Sequence, residues 1–142
     1  MKQYNAKTIR NVALVGHAGS GKTSLAEAAF YLTGQSERLG RVPDGNTICD
    51  FDPEEIKRKA SVSTALLPVE WKDTKINLLD TPGLFDFAGG MREGIRAAGS
   101  AVVVVSGKSG VTVGAEKGFR AAQKKGIATM FFVNKMDNED AD

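Results

Sequence analysis

Gly16-His17-Ala18-Gly19-Ser20-Gly21-Lys22-Thr23 fits the pattern G-x-x-x-x-G-K-[ST] and directly follows the apolar run Val12 to Val15. Glycines there let the backbone curl so that successive N–H groups converge on phosphate oxygens. A helix opening near Lys22 would aim the positive end of its dipole at the same point. Lys22 brings an ammonium to the outer phosphates, and the Thr23 hydroxyl can ligate Mg²⁺. All of these residues and the following Ser24 are candidate nucleotide contacts. A turn that only reverses the chain has a similar composition, but it does not need a strand before it and a helix after it. His17 is the sole histidine, which leaves a His-based metal site or a Ser–His pair without a partner; it reads as a spacer in the loop.

Two further constellations sit at the ends of apolar runs. Asp80-Thr81-Pro82-Gly83 follows Lys75 to Leu79. An Asp in that place can reach Mg²⁺ directly or through water, and Gly83 lets a backbone N–H approach a terminal phosphate. Asn134-Lys135-Met136-Asp137 follows Ile127 to Val133. The Asp137 carboxylate can accept from N1–H and the exocyclic amine of guanine, whereas adenine would set a lone pair against it. Lys135 would lie along the base, and Asn134 would tie this loop back to the phosphate loop. Each pattern alone also suits an ordinary polar turn; three in order point to a guanine-nucleotide-binding domain.

The elements that must position these residues alternate along the chain. Val12 to Val15, Lys75 to Leu79, Ala101 to Val105 and Ile127 to Val133 read as strands buried on both faces. Ser24 to Leu32, Gly90 to Ala98 and Gly114 to Lys125 have helical spacing. Ser61 to Trp71, with Pro68 inside, suits a sheet-edge strand. Gly34 to Asp52 reads as a long loop, and Glu54 to Lys59 as a helical turn or a solvated face. The alternation predicts an α/β fold, a mostly parallel sheet with helices on both faces. In such sheets ligands sit beyond the carboxyl ends of the strands, where all three motifs fall.

Composition narrows the class. The 142 residues make one domain, 42% hydrophobic and 25% charged, which excludes disorder and collagen-like repeats. Nineteen basic against 17 acidic residues leave a net charge of +2, too even to advertise a DNA or membrane surface. A lone Cys49 rules out an internal disulfide and suits a reducing, cytoplasmic setting. The longest apolar run is too short to span a bilayer, and the first residues lack the apolar stretch of a signal peptide.

The three motifs resemble the first, third and fourth motifs of the translation-factor GTPases. Asn11 to His17, Asp50 to Glu55, Ser61 to Ala65, Leu79 to Gly83 with Asp86-Phe87, and Phe132 to Asp137 are most similar to elongation factor G and its elongation factor G-like subgroup. The resemblance implies a P-loop NTPase G domain with GTP/GDP and Mg²⁺ as cofactors. It implies GTP hydrolysis as the activity and the ribosome as partner of the full-length protein. Switch I would span about 34–62 and switch II about 80–92. Matching Arg58-Lys59-Ala60-Ser61 to the family's Arg-Gly-Ile-Thr places Ser61 as a metal ligand beside Thr23 and Asp80, with Ser63 and Thr64 as close rivals. Leu84 stands where the family carries a His that orients the attacking water. A slow GTPase or a non-catalytic nucleotide switch is therefore expected. Phe85 and Phe87 are expected to pack under the next helix, and Trp71 to serve as core or edge cover.

The family fold has a further strand, with flanking helices and a fifth motif, after the Asn-Lys-x-Asp motif. The expectation is that residues 1–142 are the N-terminal part of the domain, incomplete at its C-terminal end and weak or inactive by itself. The uncharged strand Ile127 to Val133 would then be an edge prone to self-association.

Overall fold

In the computed structural model, which describes residues 2–141, the apolar runs become the strands of a single five-stranded sheet. The elements are β1 (Ile9–Val15), α1 (Lys22–Leu32), α2 (Pro53–Arg58), β2 (Ala65–Trp71), β3 (Thr74–Asp80), α3 (Ala88–Ala97), β4 (Ser100–Ser106), α4 (Val113–Lys125) and β5 (Ala128–Asn134). Strand order is β2-β3-β1-β4-β5. All neighbours are parallel except β2, which pairs antiparallel with β3 through a tight turn at Lys72-Asp73.

Side-chain alternation along the strands divides the core. Ala13 and Val15 of β1 join Val103 and Val105 of β4 against Ile95 of α3 and Ala115 of α4. Leu14, Val102 and Leu67 face the other way, against Leu25, Ala26 and Phe30 of α1. Cys49, from the loop after α1, enters this second cluster and is 1% exposed. The long segment between α1 and α2 is therefore irregular, apart from a 3₁₀ turn at Val42–Asp44, but it is anchored in the core. One helix end is fastened by a side chain: the Lys125 ammonium donates to the carbonyls of Ile95, Arg96 and Ala98 at 2.5–2.7 Å, satisfying the C-terminus of α3.

Several sequence expectations shift. Glu54 to Lys59 forms α2, because Asp52 caps Glu54 N–H, Glu55 reaches back to Asp52 N–H, and Pro53 occupies the first turn. The strand expected from Ser61 begins only at Ala65; the N–H groups of Val62 and Ser63 bond Glu55 instead of a neighbouring strand. Of the two expectations for Ile127 to Val133, burial on both faces does not hold, whereas the edge position does: β5 is the outermost strand and pairs only with β4, and Met130, Phe131 and Val133 are more than half exposed. Phe85 is half exposed rather than tucked under α3, its ring lying between His17 and the Lys117 ammonium. Trp71 is also exposed, at the sheet edge beside Lys72.

An apolar outer strand with free backbone groups is a template for pairing. The Met130→Lys, Phe132→Lys double variant keeps the β4 register but charges that edge. Sedimentation velocity over a concentration series should show association of the parent and less of it in the variant. Identical, concentration-independent profiles would refute the expectation.

Candidate functional site

The carboxyl ends of β1, β3 and β5 open onto one cavity of about 200 Å³, lined by Ala18, Gly19, Gly21 to Ser24, Asp50, Lys59 to Ser61, Gly83, Leu84 and Lys135. The segment Gly16 to Gly21 leaves β1 and wraps the Lys22 side chain, whose ammonium donates to the carbonyls of Gly16 (3.1 Å) and His17 (2.9 Å). Those carbonyls point at the ammonium, and Ser20 N–H donates to the same His17 carbonyl at 3.2 Å, which leaves the other N–H groups of the loop for a ligand. Burial lowers Lys22 to about 8, with Asp80 and Asp50 pulling the other way. Gly83 lies so near that a Cβ there would meet Ala18 N at 2.5 Å and the Lys22 Nζ at 2.6 Å. Only glycine brings the β3 loop this close to the phosphate loop.

A chain of hydroxyls and carboxylates runs across the floor. Thr23 Oγ1 donates to Asp80 Oδ2 at 2.6 Å, and Ser61 Oγ donates to Asp50 Oδ1 at 2.6 Å. The two hydroxyl oxygens stand 3.3 Å apart. Both protons are already given to carboxylates, so the oxygens meet through lone pairs. Asp80 Oδ1 is buried and has no partner among the described residues. Lone-pair oxygens beside an unpartnered carboxylate oxygen suit a hard cation such as Mg²⁺, which retains water and phosphate ligands and needs few protein donors. Consistently, no group of three His, Cys, Asp or Glu side chains that could hold a metal occurs among the described residues. Burial raises Asp80 to about 6, against the Thr23 hydrogen bond and the Lys22 charge. Burial also raises Asp50.

At the far side, Asn134 Nδ2 donates to Ser20 O at 3.0 Å and Lys135 Nζ to Gly19 O at 2.6 Å. These bonds fasten the β5 loop to the phosphate loop. Lys135 has φ 60°, and Asp137 lies two residues on in the following turn with its side chain exposed.

The structure thus gathers Gly16 to Ser24, Asp80, Gly83, Asn134 and Lys135 at one end of the sheet. Of the rival hydroxyls, only Ser61 meets Thr23; Ser63 faces Glu55 and Thr64 donates to Gly90 O. The ring of His17, read as a spacer in the loop, meets Phe85 edge-on at a centroid distance of 5.9 Å, and its buried Nδ1 has no partner among the described residues. Leu84 presents an apolar wall to the cavity. Sequence reasoning did not assign Asp50 or Glu55 a role, although both lie in the quoted stretch Asp50 to Glu55, and it missed Glu27 altogether. A single acidic residue in the alanine-rich stretch Ser24 to Leu32 was the available signal for Glu27.

Comparisons with known proteins agree with this fold. A family model described as the elongation factor Tu GTP binding domain matches residues 7–142. Elongation factor G 2 of Streptomyces coelicolor is 39% identical over the whole chain. The mitochondrial ribosome-releasing factor 2 of Anopheles gambiae is 36% identical over 96% of it. The chain spans about a fifth of the length of these relatives, 21% and 18%. A crystal structure of a Thermus thermophilus protein superposes with a TM-score of 0.89 at 45% identity, covering 92% of this chain and 20% of that one. A bacterial selenocysteine-specific elongation factor gives a TM-score of 0.72 at 25% identity, covering 93% and 21%.

The Asp80 shift has a sign that can be measured. A carboxyl raised from 3.8 to about 6 by folding favours the folded state when protonated. That advantage is fully present below about pH 4 and is lost as pH rises through about 6. Asp80→Asn keeps an acceptor for Thr23 without a charge. In urea titrations of the nucleotide-free chain, the variant should gain on the parent by on the order of 2 kcal/mol between pH 4 and 7. A gap that does not change with pH would contradict the burial argument.

Proposed function

The chain belongs to the elongation factor Tu GTP-binding domain family, and we propose that it is the nucleotide-binding portion of an elongation factor G-like translation GTPase. In this reading residues 1–142 form the N-terminal part of the G domain, with switch I at about 34–62 and switch II at about 80–92. The observation that carries it is the convergence of three loops at one sheet end, with Thr23, Asp80 and Ser61 joined through hydrogen-bond distances and Asn134 fastened to Ser20.

Backbone N–H groups of Gly16 to Thr23 and the N-terminus of α1 hold the phosphates, and the Lys22 ammonium neutralises their outer oxygens. Thr23, Asp80 and Ser61 form the metal side of the site. Magnesium, when bound, offsets charge on the transferring phosphoryl oxygens. Gly83 N–H meets the terminal phosphate in this reading, which the close approach of Gly83 to Ala18 and Lys22 supports. Asp137 reads guanine, and Lys135 and Asn134 hold the base loop in place. The overall reaction is attack of water on the terminal phosphorus of GTP, giving GDP and phosphate in the intact protein, with the ribosome as partner in the cytoplasm.

Leu84 favours a second reading, a GTP/GDP switch with slow or absent hydrolysis, since its side chain offers nothing to orient water. Single-turnover hydrolysis by the intact protein, with and without ribosomes, separates the two. Slow intrinsic turnover is expected; rapid turnover without ribosomes would remove Leu84 as the determinant.

Nucleotide competition tests the binding roles. Lys22→Ala should cost about 2–5 kcal/mol of GTP and GDP binding. Asp137→Asn should shift preference from guanosine toward xanthosine nucleotides, whose 2-carbonyl accepts from the new amide. Equal competition by ATP and GTP in the parent would overturn the guanine assignment.

A further inference from the structure

Glu27 lies on α1 one turn after Thr23, so the two share a helix face, yet Glu27 does not line the cavity and is 2% exposed. Among the described residues no cation forms an ion pair with it. A buried carboxylate without a counter-ion needs hydrogen bonds in place of water. Glu27 finds them in switch I: Oε1 accepts from the N–H of Ile48 at 2.6 Å and of Cys49 at 3.0 Å. Its other oxygen lies under Gly40, where an added Cβ would collide with it and come within 2.9 Å of Thr47 Cα. The loop therefore closes round this carboxylate from both sides.

The next residue after that pair is Asp50, which takes the Ser61 proton and leaves the Ser61 oxygen 3.3 Å from Thr23. Glu55 holds the other flank, accepting from Val62 N and Ser63 N at 3.0 and 3.2 Å. Resting on the GTPase reading above, we propose that Glu27 is a positioning residue that docks switch I on the helix of the phosphate loop and so delivers the Ser61 hydroxyl to the metal side of the site. The tie is suited to a switch. When the loop lifts, water replaces the two N–H donors at Glu27, so closure gains only the modest net worth of those bonds. A ligand that also engages Ser61 can then decide the balance.

Cys49, the sole cysteine, reports on the tie. It sits in the core cluster beneath the loop, and burial holds its thiol protonated, so alkylation requires the 48–49 segment to leave Glu27. Alkylation of Cys49 would be followed by peptide mass spectrometry without nucleotide, with GDP and with a non-hydrolysable GTP analogue plus Mg²⁺. Parent, Glu27→Ala, Glu27→Gln and Gly40→Ala chains would be compared, with GDP and analogue affinities measured alongside. Glu27→Gln keeps the Oε1 acceptor and should behave like the parent. Glu27→Ala and Gly40→Ala should speed nucleotide-free alkylation about tenfold. They should weaken Mg²⁺-dependent binding of the GTP analogue about tenfold while leaving GDP within about twofold, because the docked Ser61 acts with the terminal phosphate. Equal loss of both nucleotides with Gln as damaging as Ala, or unchanged alkylation in Glu27→Ala, would overturn the proposal while leaving the GTPase reading intact. A parent that binds neither nucleotide overturns that reading instead, and the alkylation rates still judge the Glu27 tie.

Discussion

The Lys22 ammonium is buried and held by two carbonyl oxygens, with no carboxylate in ion-pair contact among the described residues. A charge so placed is costly to the free protein, and its lowered pKa expresses that cost. Asp80 carries the opposite charge under the same penalty, with one oxygen bonded to Thr23 and the other without a partner. Much of the architecture follows from having to keep these groups near one another, dry, and turned toward the same small volume.

A parallel sheet meets that demand because its strands end together. β1 delivers the phosphate loop, β3 delivers Asp80 and Gly83, and β5 delivers Asn134 and Lys135 at one edge of the sheet. The loops are then tied across the gaps by few but well-placed bonds, from Asn134 to Ser20 O, from Lys135 to Gly19 O and from Thr81 to Leu14 O. The first two replace water at carbonyls of the curled phosphate loop, and the third joins the bond from Thr81 N–H to the same Leu14 carbonyl at the end of β1. This tied floor contrasts with the wall made by residues 34–62, which has little regular structure and is held by the buried carboxylates Glu27 and Glu55 and by Cys49 in the core. A segment held by such isolated ties can detach without unfolding the sheet.

What could be read from the amino acids alone was whatever repeats locally or is chemically distinctive. The glycine-lysine-threonine loop, the Asp after β3 and the Asn-Lys-x-Asp turn after β5 were legible because each needs particular residue types at short spacing beside a strand. The α/β alternation was legible because buried strands are apolar in short runs while the helices keep a longer period. Tertiary structure decided everything that depends on residues far apart in the chain. It set Ser61, rather than Ser63 or Thr64, against Thr23, 38 positions away. It made β5 an exposed edge although its composition is that of an interior strand, since burial depends on what lies beside it. It also turned Glu27, the one acidic residue of α1, into the anchor of a loop that starts beyond the helix end. No local pattern encodes such a contact, because a buried carboxylate is defined by the donors that reach it.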